Sequence, residues 1–371
     1  MEGLRALGLN RVEQAFMLLL RAGLWQRDVE DTALFPLTAS EWEEVYQCAL
    51  RQTVQGIVFE GMNRLPDPLL PPPTLRWTWM AAVGSVEEGF QRATTAATAS
   101  QALLTSIGAD IILQKGLSVA CFYDKPERRV NGDIDWYVHH PSALSELVSH
   151  ISATSPSFHA DGSYSFFLED TEIELHPQLT DLQTARATKV VKELLEQEGT
   201  RQLTLSNGAT VAVAGAMTTL LMLTAHILKH LTTVGIGLRQ FCDIARAYVS
   251  LHGQYEPNQL EEVYQKAGIH RWSRLQHRFL VDVLGTPSTV LPTGQNQNED
   301  ENLHRLLRDV MRGGNFGQHT ATWQAMADKG GSTTWHTVRQ ILRRLPFTLR
   351  YAPREGLLTT YTLIKNKYNT I

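Results

Sequence analysis

Apolar residues recur with helical spacing over the first hundred positions. Between Arg11 and Ala22 they mark one face through Val12, Ala15, Phe16 and Leu19, as an amphipathic helix requires. Ser40, with Glu43 three residues on, has the spacing of a capping box and predicts a helix start. A Pro-rich break from Leu65 to Pro73 precedes a long helical stretch, Thr74 to Leu104, rich in Ala and Thr. The period then shortens. Ile111 to Gln114, Ile134 to Val138, Tyr164 to Leu168, Glu172 to His176, Gln202 to Leu205 and Thr210 to Val213 read as strands. Turn residues join two pairs of them into antiparallel hairpins, Glu169-Asp170-Thr171 in one and Ser206-Asn207-Gly208 in the other. Leu117 to Tyr123 reads as a short helix between the first two strands.

From Ala214 the helical period returns: Gly215 to Leu231, Leu238 to Leu251, Pro257 to Ala267, Arg271 to Leu284, Glu301 to Arg312, and two more helices in the tail. Gly285 to Glu299, rich in Pro, Thr, Asn and Gln, reads as an exposed loop, and no internal repeat is visible. The pattern predicts an α+β protein with three regions: helical residues 1–105, a small mixed sheet with helices over 106–214, and helical residues 215–371.

Composition changes this picture little. A chain of 371 residues, 43% hydrophobic, can bury a sizeable core. The longest apolar run, Met217 to Leu228, is broken by Thr and His well short of the ~20 residues a membrane span needs. Met1 to Asn10 lacks the apolar core of a secretory signal, so a cytoplasmic location is expected. Cys48, Cys121 and Cys242 are odd in number and far apart, which argues for buried thiols over a disulfide framework or a Cys-x-x-Cys metal site. The net charge of -4 gives no general attraction for polyanions, yet Ser332 to Ile371 holds Arg339, Arg343, Arg344, Arg350, Arg354, Lys365 and Lys367 against the single acid Glu355. That tail reads as a solvated helix face, or as a surface for RNA, anionic lipid or an acidic partner.

The chemistry concentrates in Leu113-Gln114-Lys115-Gly116 and, after twelve residues, Arg129-Val130-Asn131-Gly132-Asp133-Ile134-Asp135. Carboxylates at i and i+2 on a strand share a face, so Asp133 and Asp135 can reach one metal cluster while Ile134 points to the core. Gly132 is expected to let the backbone turn tightly into that strand. Two magnesium ions ~3.5–4 Å apart need a further anionic ligand from a neighbouring strand. Glu174 is the natural choice, because alternation sends Ile173 and Leu175 to the core and Glu174 and His176 to the site. Glu172 has the same parity and is the second choice.

Lys115-Gly116, Arg129, Gly132-Asp133-Ile134-Asp135 and Glu174-Leu175-His176 together resemble the uncharacterised nucleotidyltransferases of the DNA polymerase β superfamily, with a distant likeness to type IV abortive-infection toxin nucleotidyltransferases. His226, Lys229-His230 and Gly237 to Ala245 resemble the helical segment that follows the sheet in that family, so the likeness runs from about Ala102 to about Tyr248. The resemblance implies a polymerase-β-like core and metal-dependent transfer of a nucleoside monophosphate. The donor is a nucleoside triphosphate, ATP among them, the receiver is an acceptor hydroxyl, and pyrophosphate is released. Asp133, Asp135 and Glu174 would hold two Mg2+ ions, or Mn2+ in their stead. Lys115, Gly116, Arg129, Gly132 and His176 would line the nucleotide, and His226, Lys229, His230, Arg239 and Asp243 would form a second wall on two helices. Departures accompany the likeness. The Gly-Ser pair common in the superfamily is replaced by Lys115-Gly116, and Pro177 follows His176 where the family has an aromatic. The acceptor is a small molecule, a protein hydroxyl or an RNA end. The alternative readings are an inactive nucleotide- or partner-binding module of the same fold and a tRNA-modifying toxin; oligomeric state is not legible in the residues.

Overall fold

The computed structural model describes residues 4, 6–139, 149, 151, 155–159, 161–292, 300–315 and 343–358. Three helices open the chain: α1 (Arg11–Leu24), α2 (Ala39–Arg51) and α3 (Gln55–Met62). Asn10 caps α1, accepting from the Glu13 amide at 2.9 Å while Glu13 Oε2 accepts from the Asn10 amide at 2.8 Å. The same reciprocal box starts α2 at Thr38 and Glu41, two residues ahead of the expected pair. Ser40 and Glu43 share its spacing, but Thr38 is the residue with extended backbone, so Ser40 falls inside the first turn.

After the Pro-rich break, Pro73 at the first helical position starts α4 (Pro73–Ser106), a helix of 34 residues. Its length lets it serve two cores. Leu75, Trp79 and Val83 pack with α1 to α3, whereas Phe90, Ala93, Ala97 and Leu104 pack beneath a sheet. That sheet is formed by β1 (Ile111–Leu113), β2 (Ile134–Val138), β3 (Ser157–Phe158), β4 (Tyr164–Leu168) and β5 (Thr171–His176), in the order β1-β2-β5-β4-β3. β2 and β5 run parallel and the other neighbours antiparallel, which makes the sheet mixed. A four-residue helix, α5 (Leu117–Ala120), lies between β1 and β2.

Helix α6 (Ala185–Glu198) leads to the hairpin of β6 (Thr200–Thr204) and β7 (Thr210–Ala214), which turns at Asn207-Gly208 as expected. These two strands pair only with each other and not with the main sheet, though Leu205, Val211 and Val213 extend its core. The remaining helices are α7 (Ala216–Thr232), α8 (Leu238–Ser250), α9 (Pro257–Ala267), α10 (His270–Asp282) and α11 (Asp300–Gly313), with further helical residues at 343–351. Their apolar faces join those of α1 to α3 in one large core, so segments more than two hundred residues apart are packed together. The expected α+β architecture is therefore present: a small mixed sheet flanked by helices on both sides in sequence.

The three cysteines are free; Cys242 is buried, while Cys48 and Cys121 are only partly so. No helix among the described residues is long and apolar enough to cross a membrane. In the tail, Arg339, Lys365 and Lys367 lie outside the described residues, as do residues 293–299 of the expected loop. Arg344 is not a solvated face residue: it donates to the Leu231 carbonyl at 2.6 Å and pairs with Asp309 at 3.2 Å.

Candidate active site

Strand alternation decides which side chains meet. Ile134, Trp136 and Val138 of β2, with Ile173 and Leu175 of β5, enter the core against α4. Asp135 and Tyr137 therefore face the other way, and the parallel register sets Asp135 beside Glu174 and Tyr137 beside His176. Ser165 of β4 continues the row beyond Glu174. Glu172, the second choice, lies one step back along β5, opposite Phe167.

Asp135 is buried, with 4% of its surface exposed, and Oδ1 accepts from Lys115 Nζ at 3.2 Å and from His176 Nε2 at 2.7 Å. His176 Nε2 also stands 3.1 Å from Glu174 Oε2, so one imidazole bridges the two carboxylates. Lys115 is placed by the backbone: the Gln114 amide donates to the Asp135 carbonyl at 2.9 Å, which extends the β1–β2 ladder up to the Lys-Gly pair. Gly116 has φ +59, a conformation that disfavours any residue with a Cβ, and a Cβ there would sit 3.5 Å from the Asp133 carbonyl. Gly132 shows no such need. Its φ is not positive and a Cβ would meet open space, so the expected tight turn into β2 is not what this position provides.

The charges are tightly interdependent. Burial pushes the Asp135 carboxyl up, but Lys115 and the hydrogen bond from His176 outweigh it and hold the group well below the usual carboxylate range. Asp133, exposed at the entry to β2, moves the other way: the neighbouring Asp135 charge, ahead of burial, raises it to about 6. Burial disfavours the charged form of His176, yet its bonds to Asp135 and Glu174 prevail and raise it to about 9. Lys115 is likewise raised against its burial by Asp135, Asp181 and Asp133.

Asp181, in the loop after β5, was not singled out by the sequence pattern. Its carboxylate accepts from Lys229 Nζ at 2.6 Å and lies 3.1 Å from His226 Nδ1, both on α7. His230 packs edge-on against His226, with ring centroids 4.4 Å apart. Burial raises the Asp181 carboxyl, but Lys229 and His226 overcome this and depress it well below its ordinary value. A series of alternating charge results, from Glu174 through His176, Asp135, Lys115 and Asp181 to Lys229, leading from the sheet to α7.

Arg129 and Asp243 form a separate group. Arg129 Nε and Nη2 donate to Asp243 Oδ1 and Oδ2 at 2.9 and 2.7 Å, while Nη1 reaches the Val130 carbonyl and Asn131 Oδ1. Tyr123 adds its hydroxyl to Asp243 at 2.7 Å. All three guanidinium nitrogens of Arg129 are thus engaged within the protein. Arg239, one turn before Asp243 on α8, does not pair with it; Nη1 donates to the Val130 carbonyl at 3.0 Å and Nε is buried without a partner. Burial, followed by the Arg129 charge, lowers Arg239 to about 10.

Ligand atoms of Asp135, Glu174 and His176 lie within 4.8 Å of one another, and those of His159, Glu172 and Glu174 form a second such set. Two hard carboxylates side by side, both already facing cationic donors, suit a divalent cation that prefers oxygen ligands. Asp133 stands outside both sets and couples to the first through its charge. Asp181 carried no signal in the sequence because it sits in a loop without period. Its clue was chemical: an acid five residues beyond His176 whose partners are a His and a Lys on α7.

The family model for uncharacterised nucleotidyltransferases matches residues 38–284, about two thirds of the chain. Among solved structures, an antigenic nucleotidyltransferase-like protein from Paracoccidioides brasiliensis is 16% identical, with a TM-score of 0.35, over 53% of this chain and 95% of that one. No curated protein matches.

Proposed function

This chain belongs to the uncharacterised nucleotidyltransferase family, and on that premise we propose that it transfers a nucleoside monophosphate from a nucleoside triphosphate to an acceptor hydroxyl. The observation that carries the reading is the register of β2 and β5, which sets Asp135 beside Glu174 on the sheet face that also holds Lys115 and His176. Asp135 and Glu174, with Asp133 at the strand entry, would hold divalent metal, Mg2+ in the first instance, which supplies positive charge to the triphosphate and acidifies the attacking hydroxyl.

The protein's own groups account for the rest. The acceptor oxygen attacks the α-phosphorus in line, the bond from that phosphorus to the bridging oxygen breaks, and pyrophosphate leaves. Lys115, held charged by three carboxylates, would meet phosphate oxygens that gain charge as this happens. Arg239 adds a second cation near Val130, at the mouth of the Asp133 loop. Arg129 has its guanidinium committed to Asp243, and its part is to fix the segment Arg129 to Asp133 against α8. His226, Lys229 and His230 line the opposite wall on α7.

The test is calorimetric binding of each of the four nucleoside triphosphates with and without Mg2+, for wild type and for Asp133→Ala/Asp135→Ala. Metal-dependent binding of a triphosphate, lost in the double variant, is the expected result. Failure of all four to bind wild type at millimolar concentration in the presence of Mg2+ would overturn the reading.

A further inference from the structure

The pair Asp181–His226 has a geometry that simple lining of a wall does not require. His226 Nδ1 lies 3.1 Å from Asp181 Oδ2, and Nε2 makes no hydrogen bond to a described residue. The side chain keeps 14% of its surface open, so that nitrogen is not sealed from incoming groups. Asp181 is held as an anion by Lys229 on its other oxygen. A carboxylate on Nδ1 fixes the tautomer: the proton sits on Nδ1 and the lone pair is left on Nε2.

We propose that His226, oriented by Asp181, is the general base that takes the proton of the acceptor hydroxyl. The proposal rests on the nucleotidyl-transfer reading above and deepens it. As the acceptor oxygen bonds to the α-phosphorus, its proton passes to Nε2. The bond from the α-phosphorus to the bridging oxygen breaks, and pyrophosphate departs with that electron pair. The imidazolium left behind is stabilised by Asp181 and then returns its proton to solvent. Burial, then the Lys115 charge, holds His226 below the ordinary histidine value, so it is neutral and basic at neutral pH. The charged or titratable groups around it are Lys115, Asp181, Lys229, His230 and, across Lys115, Asp135.

Asp181→Asn separates orientation from charge. Lys229 Nζ is a donor on one side of the carboxylate, so the amide oxygen would turn toward it and the amide NH2 toward His226 Nδ1. That forces the His226 proton onto Nε2 and removes the base while leaving the ring in place.

The experiment joins two readouts on the full chain. Nitrogen-15 NMR of the histidine side chains at pH 7 reads the tautomer, and pyrophosphate release from the four nucleoside triphosphates with Mg2+, water serving as acceptor, reads the reaction. Expected are an Nδ1-protonated, neutral His226 in wild type, the opposite tautomer in Asp181→Asn, and a fall in kcat of ~10²–10⁴-fold in both His226→Gln and Asp181→Asn with KM for the triphosphate little changed. The wild-type rate rises with pH through the lowered His226 value and then levels, and this limb disappears in His226→Gln. An Nε2-protonated or charged His226 in wild type overturns the proposal. So does His226→Gln turning over at the wild-type rate, which leaves the transfer reading standing. Absence of metal-dependent binding of all four triphosphates to wild type sinks the transfer reading and the base with it, and where water does not serve as acceptor the tautomer of His226 alone decides the proposal.

Discussion

Two polar networks lie inside this protein, and they are built on opposite principles. In the helical core the Tyr248 hydroxyl bonds to the Tyr264 hydroxyl and to His277 Nε2, both at 2.7 Å, while Thr224 meets Tyr264 at 3.2 Å and donates to Gln276 at 3.1 Å. Every member is buried and neutral; burial holds His277 down to about 3 and drives the Tyr248 and Tyr264 phenols up. At the sheet, the series from Glu174 to Lys229 alternates full charges and reaches partly exposed groups at its ends. A neutral buried network spends its hydrogen bonds on its own members, here all but Gln276 Nε2, and has little left to offer a ligand. A charged series with a half-open edge can exchange an internal partner for an external ion. The difference separates polar residues closed within the fold from polar residues open to an incoming ion.

The largest effect is expected where that exchange takes place. Asp135→Asn keeps the shape and removes the charge that Lys115 and His176 share, so transfer should fall by ~10³-fold or more, several kcal/mol in the transition state. Circular dichroism should show the fold retained. Turnover within tenfold of wild type would place the chemistry elsewhere and end the contrast.

Arg129→Ala probes a third case, a buried charged pair whose guanidinium is fully engaged within the protein. It strands Asp243 in a buried position with only Tyr123 as partner. Such a loss costs ~3–5 kcal/mol, which urea unfolding would read as a lower midpoint with unchanged slope. A destabilisation below ~1 kcal/mol would mean that water or Arg239 replaces the guanidinium. Tyr248→Phe is the matching cut in the neutral network. It leaves His277 Nε2 and the Tyr264 hydroxyl each short of a bond and should cost ~1–3 kcal/mol of stability with no change in transfer rate. A tenfold loss of activity in Tyr248→Phe would tie the two networks together.

What could be read from the residues follows the reach of each signal. Strands β2 and β4 begin and end where alternation placed them, and parity alone put Glu174 on the face of Asp135, because a period of two is local and strict. The parallel pairing of β2 with β5 has no local signature; it depends on packing against α4 and on a connection through residues 139–170. Arg129 reads as a contact for the nucleotide and Asp243 as part of a second wall, since nothing in a local pattern reveals that two residues 114 positions apart will pair with each other. Asp181 escaped for the same reason: its meaning lies in His226 and Lys229, which arrive 45 and 48 residues later. Local chemistry was legible, and partnership across the chain was not.

The smallest expected effect tests the neutrality on which the comparison rests. His277 accepts from Tyr248 only while Nε2 is unprotonated, and burial, assisted by the Arg274 charge, keeps it so down to about 3. The unfolded chain has an ordinary histidine there, titrating near ~6.5. Above that pH neither state binds the proton and His277 contributes no pH dependence. Below it the unfolded chain takes up a proton that the folded protein refuses, so stability declines by up to ~1.4 kcal/mol per pH unit until the folded value is reached. His226 and His230, also depressed by burial, add declines of the same sign. The contribution of His277 is therefore read as a difference: urea unfolding of wild type and His277→Gln at pH 7, 6 and 5, with the gap between them shifting by about 2 kcal/mol in favour of the variant as pH falls from 7 to 5. A gap that stays constant would mean that His277 protonates inside the fold at its ordinary pH. The helical network would then carry charge as the sheet does, and burial alone could not explain the difference between the two.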